Sequence, residues 1–268
     1  MSALRLWAGG ETHRGHIRDS NQDVILVEPD LGLYAVFDGM GGVNAGDVAA
    51  RMASQEIAAS MRKMPRIRRR SPRKALELAL NTAAVEVFRA AEGRLDCHGM
   101  GTTVVACLVI EPTHVVIGHA GDSRAYLLRD GKLEALTRDH TVAQRLVDAG
   151  ALRAEEMESC PQRHLLTRNL GQGYGVGPDV LELKLERGDR LLLCSDGLYG
   201  GAPLGSIRRV LGSREAPTRV ARRLIELALR GEAADNISAI VLALDDGPAP
   251  ATKRRWFSRN QVRQRGKV

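Results

Sequence analysis

Residues 33–42 read Leu33-Tyr34-Ala35-Val36-Phe37-Asp38-Gly39-Met40-Gly41-Gly42. A short apolar run that stops at an Asp-Gly pair is the pattern of a β-strand ending in a turn. The same wording recurs at 191–198, where Leu-Leu-Leu-Cys-Ser runs into Asp196-Gly197. Near the end of the chain Asp235-Asn236 opens the apolar run from Ile237 to Leu244. Around these lie further strand patterns at 102–110, 114–119, 124–129, 180–185 and 190–194, most of them rich in Val, Ile or Leu and bounded by Gly, Asp or Pro. Asp130-Gly131 between two of these runs is a hairpin signal, which favours antiparallel pairing over a regular βαβ succession.

Two helical patterns interrupt the strands. Ala45, Ala49, Ala53, Ile57 and Met61 recur every four residues, and Leu76, Leu80, Ala83, Val87 and Ala91 form a second stripe behind Ser71 as N-cap and Pro72 at the first helical position. A later helical pair, at about 204–211 and 217–230, precedes the last strand. Helices that flank blocks of antiparallel strands predict an α+β fold, a four-layer αββα sandwich.

The chain has 268 residues, 44% of them hydrophobic and 26% charged, a composition able to bury a core and unlike collagen, a disordered chain or a disulfide scaffold. Its longest apolar stretch, Val104 to Ile110, falls far short of the roughly 20 residues that span a bilayer, and the N-terminal residues are too few for a signal sequence. A cytoplasmic protein is expected. Cys97, Cys107, Cys160 and Cys194 form no CxxC pair, which agrees with a reducing compartment and assigns them no chemistry.

The net charge of +7 invites a nucleic-acid reading, yet the chain has nine aromatic residues with which to stack bases. The charge is also local. Seven basic residues follow Asp246 with no acid among them, and eight more crowd Arg62 to Lys74, leaving an acidic remainder. The 62–74 segment is expected to be a basic, solvated loop between helices, with a docking surface for an acidic partner as the alternative. Residues 247–268 are expected to form a basic flexible tail after a folded domain at 1–246, with an anchor to anionic surfaces as its alternative; no specific nucleic acid is expected.

The acidic remainder carries the chemistry. Any single Asp-Gly is an ordinary turn former, but Asp38, Asp196 and Asp235 all stand at the ends of apolar strands. Carboxylates gathered without neutralising partners repel one another unless cations lie between them, and an oxygen-only ligand set selects magnesium or manganese. Two such ions can hold a hydroxide aimed at a phosphorus atom.

In order and wording, RDSNQD (18–23), VFDGMGG (36–42), GMGTT (99–103), GDSRAY (121–126), TRDH (137–140), LLLCSDGL (191–198) and AADN (233–236) resemble the successive motifs of the metal-dependent protein serine/threonine phosphatases of the 2C (PPM) type, in a bacterial single-domain form. The resemblance covers residues 11–244. It implies a central antiparallel β-sandwich flanked by helices, and hydrolysis of phosphoserine and phosphothreonine in proteins by attack of a metal-bridging water or hydroxide. It implies two core Mn2+ or Mg2+ ions and a weaker third.

By the same resemblance Asp38 bridges the two core ions and the Gly39 carbonyl ligates one of them, while Asp196 and Asp235 complete the second site. Asp122 joins Asp196 at the third ion, Arg18 grips the substrate phosphate, and Asp23 orients water from behind. Residues 140–163 become a flap beside the site. The partners implied are phosphorylated proteins, a serine/threonine kinase and its substrates, with the enzyme a monomer. A catalytically idle phosphoprotein-binding module is the alternative. Three positions depart from the family pattern: Gln22 stands where Glu is frequent, Val43 where bacterial members commonly have His, and Met40 where some members place a general acid. His16 and His140 adjoin motifs and are expected to be surface or structural residues.

Overall fold

The structure is a computed structural model and describes residues 4–42, 45–93, 95–231 and 233–245. The expected tail and Val43 lie outside the described residues. In chain order the strands are β1 (Arg5–His13), β2 (Asp23–Glu28), β3 (Leu33–Met40), β4 (Gly101–Thr102), β5 (Val104–Glu111), β6 (His114–Ala120), β7 (Arg124–Arg129), β8 (Lys132–Ala135), β9 (Asp179–Lys184), β10 (Arg190–Cys194) and β11 (Ile237–Asp245). The helices are α1 (Ala45–Lys63), α2 (Pro65–Arg70), α3 (Pro72–Gly93), α4 (Val142–Asp148), α5 (Asp196–Gly201), α6 (Leu204–Leu211) and α7 (Pro217–Arg230).

The strands form two antiparallel sheets. One runs β1-β11-β10-β7-β8; the other runs β2-β3-β5-β6-β9, with β4 paired to β3. Alternation along each central strand explains the four layers, because successive side chains leave a strand on opposite faces. In β3, Leu33, Ala35 and Phe37 meet the stripes of α1 and α3, while Tyr34 and Val36 point into the sandwich. In β10, Leu191 and Leu193 face the sandwich, and Leu192 and Cys194 meet the helical layer of α6 and α7. Both faces of these strands are therefore buried, and the α+β sandwich expected from the sequence is the fold.

Both predicted stripes are core. Ala49, Ala53, Ile57 and Met61 of α1 and Leu76, Leu80, Ala83 and Val87 of α3 are fully buried. The Ser71 carbonyl accepts the first bond of α3, from the Ala75 N–H at 3.0 Å. The Asp130-Gly131 turn closes β7 onto β8 with Arg129 opposite Lys132.

Three features differ from the sequence reading. Strands β1 and β2 precede the first expected strand: Gly9-Gly10 weakens the strand pattern of β1, which is held instead by nine residue pairs with β11. The basic segment is not an open loop, since α1 continues to Lys63, α2 fills Pro65–Arg70 and α3 starts at Pro72. Arginine is a good helix former, and Pro65 and Pro72 both sit where a helix tolerates proline, at its start. The expected strand at 102–110 is interrupted at Thr103 into β4 and β5.

Candidate metal centre

At one end of the sandwich the two sheets open into a cleft of about 810 Å³, lined by Arg18, Gln22, Asp38, Gly39, Met40, Asp122, His164, Asp196, Asp235 and neighbours. Both sheets contribute. Asp38 and Gly39 end β3, and Asp23 begins β2 directly opposite Asp38 in the antiparallel register. From the other sheet, Asp196 is the first residue of α5 behind β10, and Asp235 lies two residues before β11. Asp122 sits in the connection from β6 to β7, which crosses between the sheets.

Local geometry fixes each group. The Asp38 N–H donates to Thr103 Oγ1 (3.1 Å), and the Asp38 carbonyl accepts from the Thr103 N–H (2.9 Å) and the Thr102 hydroxyl (3.0 Å). A Cβ on Gly39 would lie 2.2 Å from the Gly46 carbonyl oxygen and 2.6 Å from that of Gln22, so only glycine lets the start of α1 close against the strand end. The buried Asp23 accepts from the Ser195 hydroxyl at 2.8 Å. Asn236 pins the loop that carries Arg18, accepting from the Gln22 N–H (2.8 Å) and donating to the carbonyls of Arg14 (2.8 Å) and Ser20 (3.0 Å). Arg18 Nη2 donates to Asp235 Oδ2 at 2.7 Å. That hydrogen bond, with the charge of Asp235, raises the guanidinium above its ordinary range.

The carboxyls are electrostatically frustrated. Burial, then the Asp23 and Asp196 charges, push Asp38 well above the carboxylate range. Asp122 is pushed up to about 8, first by burial and then by Asp196. Asp23 is pushed up to about 7 by burial, with the Ser238 and Ser195 hydroxyls opposing the shift. Asp196 is raised by burial and by Asp235, and its Oδ1 is buried without a hydrogen-bond partner. An oxygen-only set of mutually repelling carboxyls, one with an orphaned oxygen, fits hard divalent cations.

Every residue expected at the site from the sequence lines the cleft except Asp23, which lies behind it. Met40 is in the wall of the cleft. Sequence reasoning missed His164. Ligand atoms of His164, Asp122 and Asp196 all lie within 4.8 Å of one another, and Leu166 also lines the cleft. Both stand just beyond the expected flap boundary at Arg163, on the arm that returns from α4. The Thr141–Leu166 bridge brings that arm back, a tertiary pairing with no local sequence signal. His16 is exposed and does not line the cleft.

Residues 10–237 match the family profile described as Protein phosphatase 2C. The serine/threonine protein phosphatase PstP of Mycobacterium tuberculosis is 39% identical over 243 residues, 91% of this chain and 46% of that protein, so the chain spans about half the length of this relative. The serine/threonine phosphatase Stp of Listeria monocytogenes is 32% identical over 87% of this chain and 94% of its own length. The crystal structure of the catalytic domain of PstP in complex with two manganese ions superposes with a TM-score of 0.79, at 35% identity over 91% of this chain and all of that one.

Proposed function

We propose, because this chain belongs to the protein phosphatase 2C family, that it is a metal-dependent phosphatase hydrolysing phosphoserine and phosphothreonine in proteins. The observation that carries the reading is the convergence of Asp38, Asp122, Asp196 and Asp235 with Arg18 at one cleft between the sheets. Divalent cations bound there would supply an activated water and neutralise the charge that develops on the phosphoryl group.

The chain's own residues then divide the work. Asp38, the Gly39 carbonyl, Asp196 and Asp235 would hold the two core cations. Asp122, Asp196 and His164, whose ligand atoms lie within 4.8 Å of one another, would hold a third. Arg18, 56% exposed at the cleft mouth, presents a planar fork of donors suited to two phosphate oxygens. Buried Asp23 faces Asp38 from behind and can hold or release a proton near neutral pH. Manganese or magnesium both suit the donor set. The phosphoproteins would come from a serine/threonine kinase acting on the same targets.

The idle-module alternative predicts lost ligand carboxylates, and Asp38, Asp122, Asp196 and Asp235 all line the cleft. The deciding measurement is phosphate release from a phosphothreonine peptide with Mn2+, with EDTA and with Asp38→Ala. Turnover that survives EDTA, or that Asp38→Ala leaves at the wild-type rate, would refute the proposal.

A further inference from the structure

The TRDH stretch ends in His140, which lies outside the cleft yet has every polar group engaged. Its N–H donates to the Gly121 carbonyl (2.9 Å), its Nδ1 faces the Gly121 N–H (3.3 Å), and its carbonyl accepts from the Thr167 N–H (2.8 Å). Its Nε2 lies 3.1 Å from Asp179 Oδ2. The ring stacks on that of His119, with centroids 4.5 Å apart and planes 19° from parallel.

Chemistry fixes the tautomer. An amide N–H can only donate and an ionised carboxylate can only accept, so Nδ1 is the acceptor and Nε2 carries the proton toward Asp179. Arg168 steadies Asp179 from its other side, with Nη1 2.8 Å from Oδ1 and 3.1 Å from the Gly177 carbonyl. Burial, and then the adjacent His119 ring, hold His140 below the usual imidazole range, in keeping with a neutral ring. His119, His140 and Asp179 stand close enough to chelate a cation. A ring with both nitrogens committed offers it no lone pair, and the Arg168 guanidinium 3.3 Å from Nε2 would repel it. The cluster is a bracket of hydrogen bonds.

The bracket grips a position that can be nothing but glycine. Gly121 has φ +108°, and a Cβ there would lie 2.6 Å from Thr103 Cγ2. Its N–H and carbonyl both go to His140, and the next residue is Asp122. On the other side, Thr167 and the Thr141–Leu166 bridge begin the arm that carries Leu166 and His164 into the cleft. One residue thus ties together the two segments that bring Asp122 and His164 within reach of each other: its main chain bonds to both, and its ring adds the contact to the Gly121 N–H.

We propose that His140 is a positioning residue for Asp122, holding its loop and the His164 arm in the spacing needed by the weakest of the cation sites. The inference rests on the reading of Asp122 as a ligand given above. It is tested by Mn2+ titration, followed by calorimetry and by the EPR signal of free Mn2+, on the wild type, Asp122→Ala, His140→Asn and His140→Gln. Asn places an acceptor oxygen near the position of Nδ1; Gln places its polar atoms near Nε2 and leaves the Gly121 N–H without an acceptor. Asp122→Ala is expected to abolish the weakest equilibrium. His140→Gln should weaken it by about tenfold or more while the two tighter equilibria move by less than about threefold, and His140→Asn should restore it to within about threefold of wild type.

Equal affinities in wild type, Asn and Gln, with the site lost in Asp122→Ala, overturn the role of His140 and leave Asp122 standing. Equally weak sites in Asn and Gln also overturn it, because the Nδ1–Gly121 contact is then not what matters. An unaltered titration in Asp122→Ala sinks the ligand assignment and this inference together. If the ring variants do not fold, Asp179→Ala at its exposed position decides: a selective loss of about threefold or more in the weakest equilibrium supports the bracket, and no change overturns it.

Discussion

Arg18 and Asp235 are bonded to each other at 2.7 Å while both face the cleft, so the residue read as gripping phosphate is held by one read as gripping metal. Replacing Arg18 by Lys keeps the charge but removes the fork, and KM for a phosphothreonine peptide is expected to rise about tenfold with a smaller change in kcat. Asp38→Ala is expected to lower kcat/KM by at least about a hundredfold and to remove Mn2+ heat in calorimetry. His164→Ala should leave the two tighter Mn2+ equilibria unchanged and weaken the third, since His164 groups with Asp122 and Asp196. Asp38, Asp196 and Asp235 could be picked out because strand ends are rigid positions that local pattern can locate, whereas Asp122 and Asp23 came only with the family resemblance; all five stand in or directly behind the cleft. His164 could not be found that way, as its place depends on a chain excursion closing back through the Thr141–Leu166 bridge.

At the level of the elements, β3, β10 and β11 were readable because both faces are buried and their apolar runs are unbroken. Strand β1 was hidden, since Arg5–His13 contains adjacent glycines and gains its order from pairing along the whole of β11. Helix α2 was hidden for another reason: its arginines carry no amphipathic stripe, and none of its residues is buried. The fully buried Phe37 links β3 to the helical layer, and Phe37→Ala is expected to cost about 3 to 5 kcal/mol, seen as a drop in melting temperature on the order of 10 °C. Gly39→Ala should be worse for function than for folding, because the added methyl pushes α1 away from the end of β3 that carries Asp38.

Taken as a whole molecule, the protein holds its charge unevenly: acidic in the cleft, basic along 62–74 and in the residues after 246. Among the described residues no helix is long and apolar enough to cross a membrane. Removing residues 247–268 is expected to leave peptide turnover unchanged; a tail that anchors the protein would show itself as salt-dependent binding to anionic vesicles or DNA that the truncation abolishes. The cleft makes stability depend on pH. Asp23 and Asp122 have folded values raised to about 7 and about 8, so the stability of their neutral forms is complete below the unfolded value near 4 and is lost as pH rises through those folded values. His119 and His140 are lowered, chiefly by burial, and contribute in the opposite sense, losing stability as pH falls below about 6.5. Between pH 6.5 and 8.5 the carboxyls dominate. Melting of EDTA-treated protein should therefore fall across that interval, and Mn2+ should raise it more at pH 8.5 than at pH 6.5.

The carboxyls that meet in the cleft come from opposite halves of the sandwich, Asp38 from one sheet and Asp196 and Asp235 from the other. An ion between them would act as a rivet across a seam that is otherwise closed by apolar packing and a few hydrogen bonds, such as that from Ser195 to Asp23. Cation retention then becomes a gauge of how the halves sit against each other: a substitution deep in the sandwich, at Val36 or Leu193, would register first as faster ion release, before any loss of secondary structure.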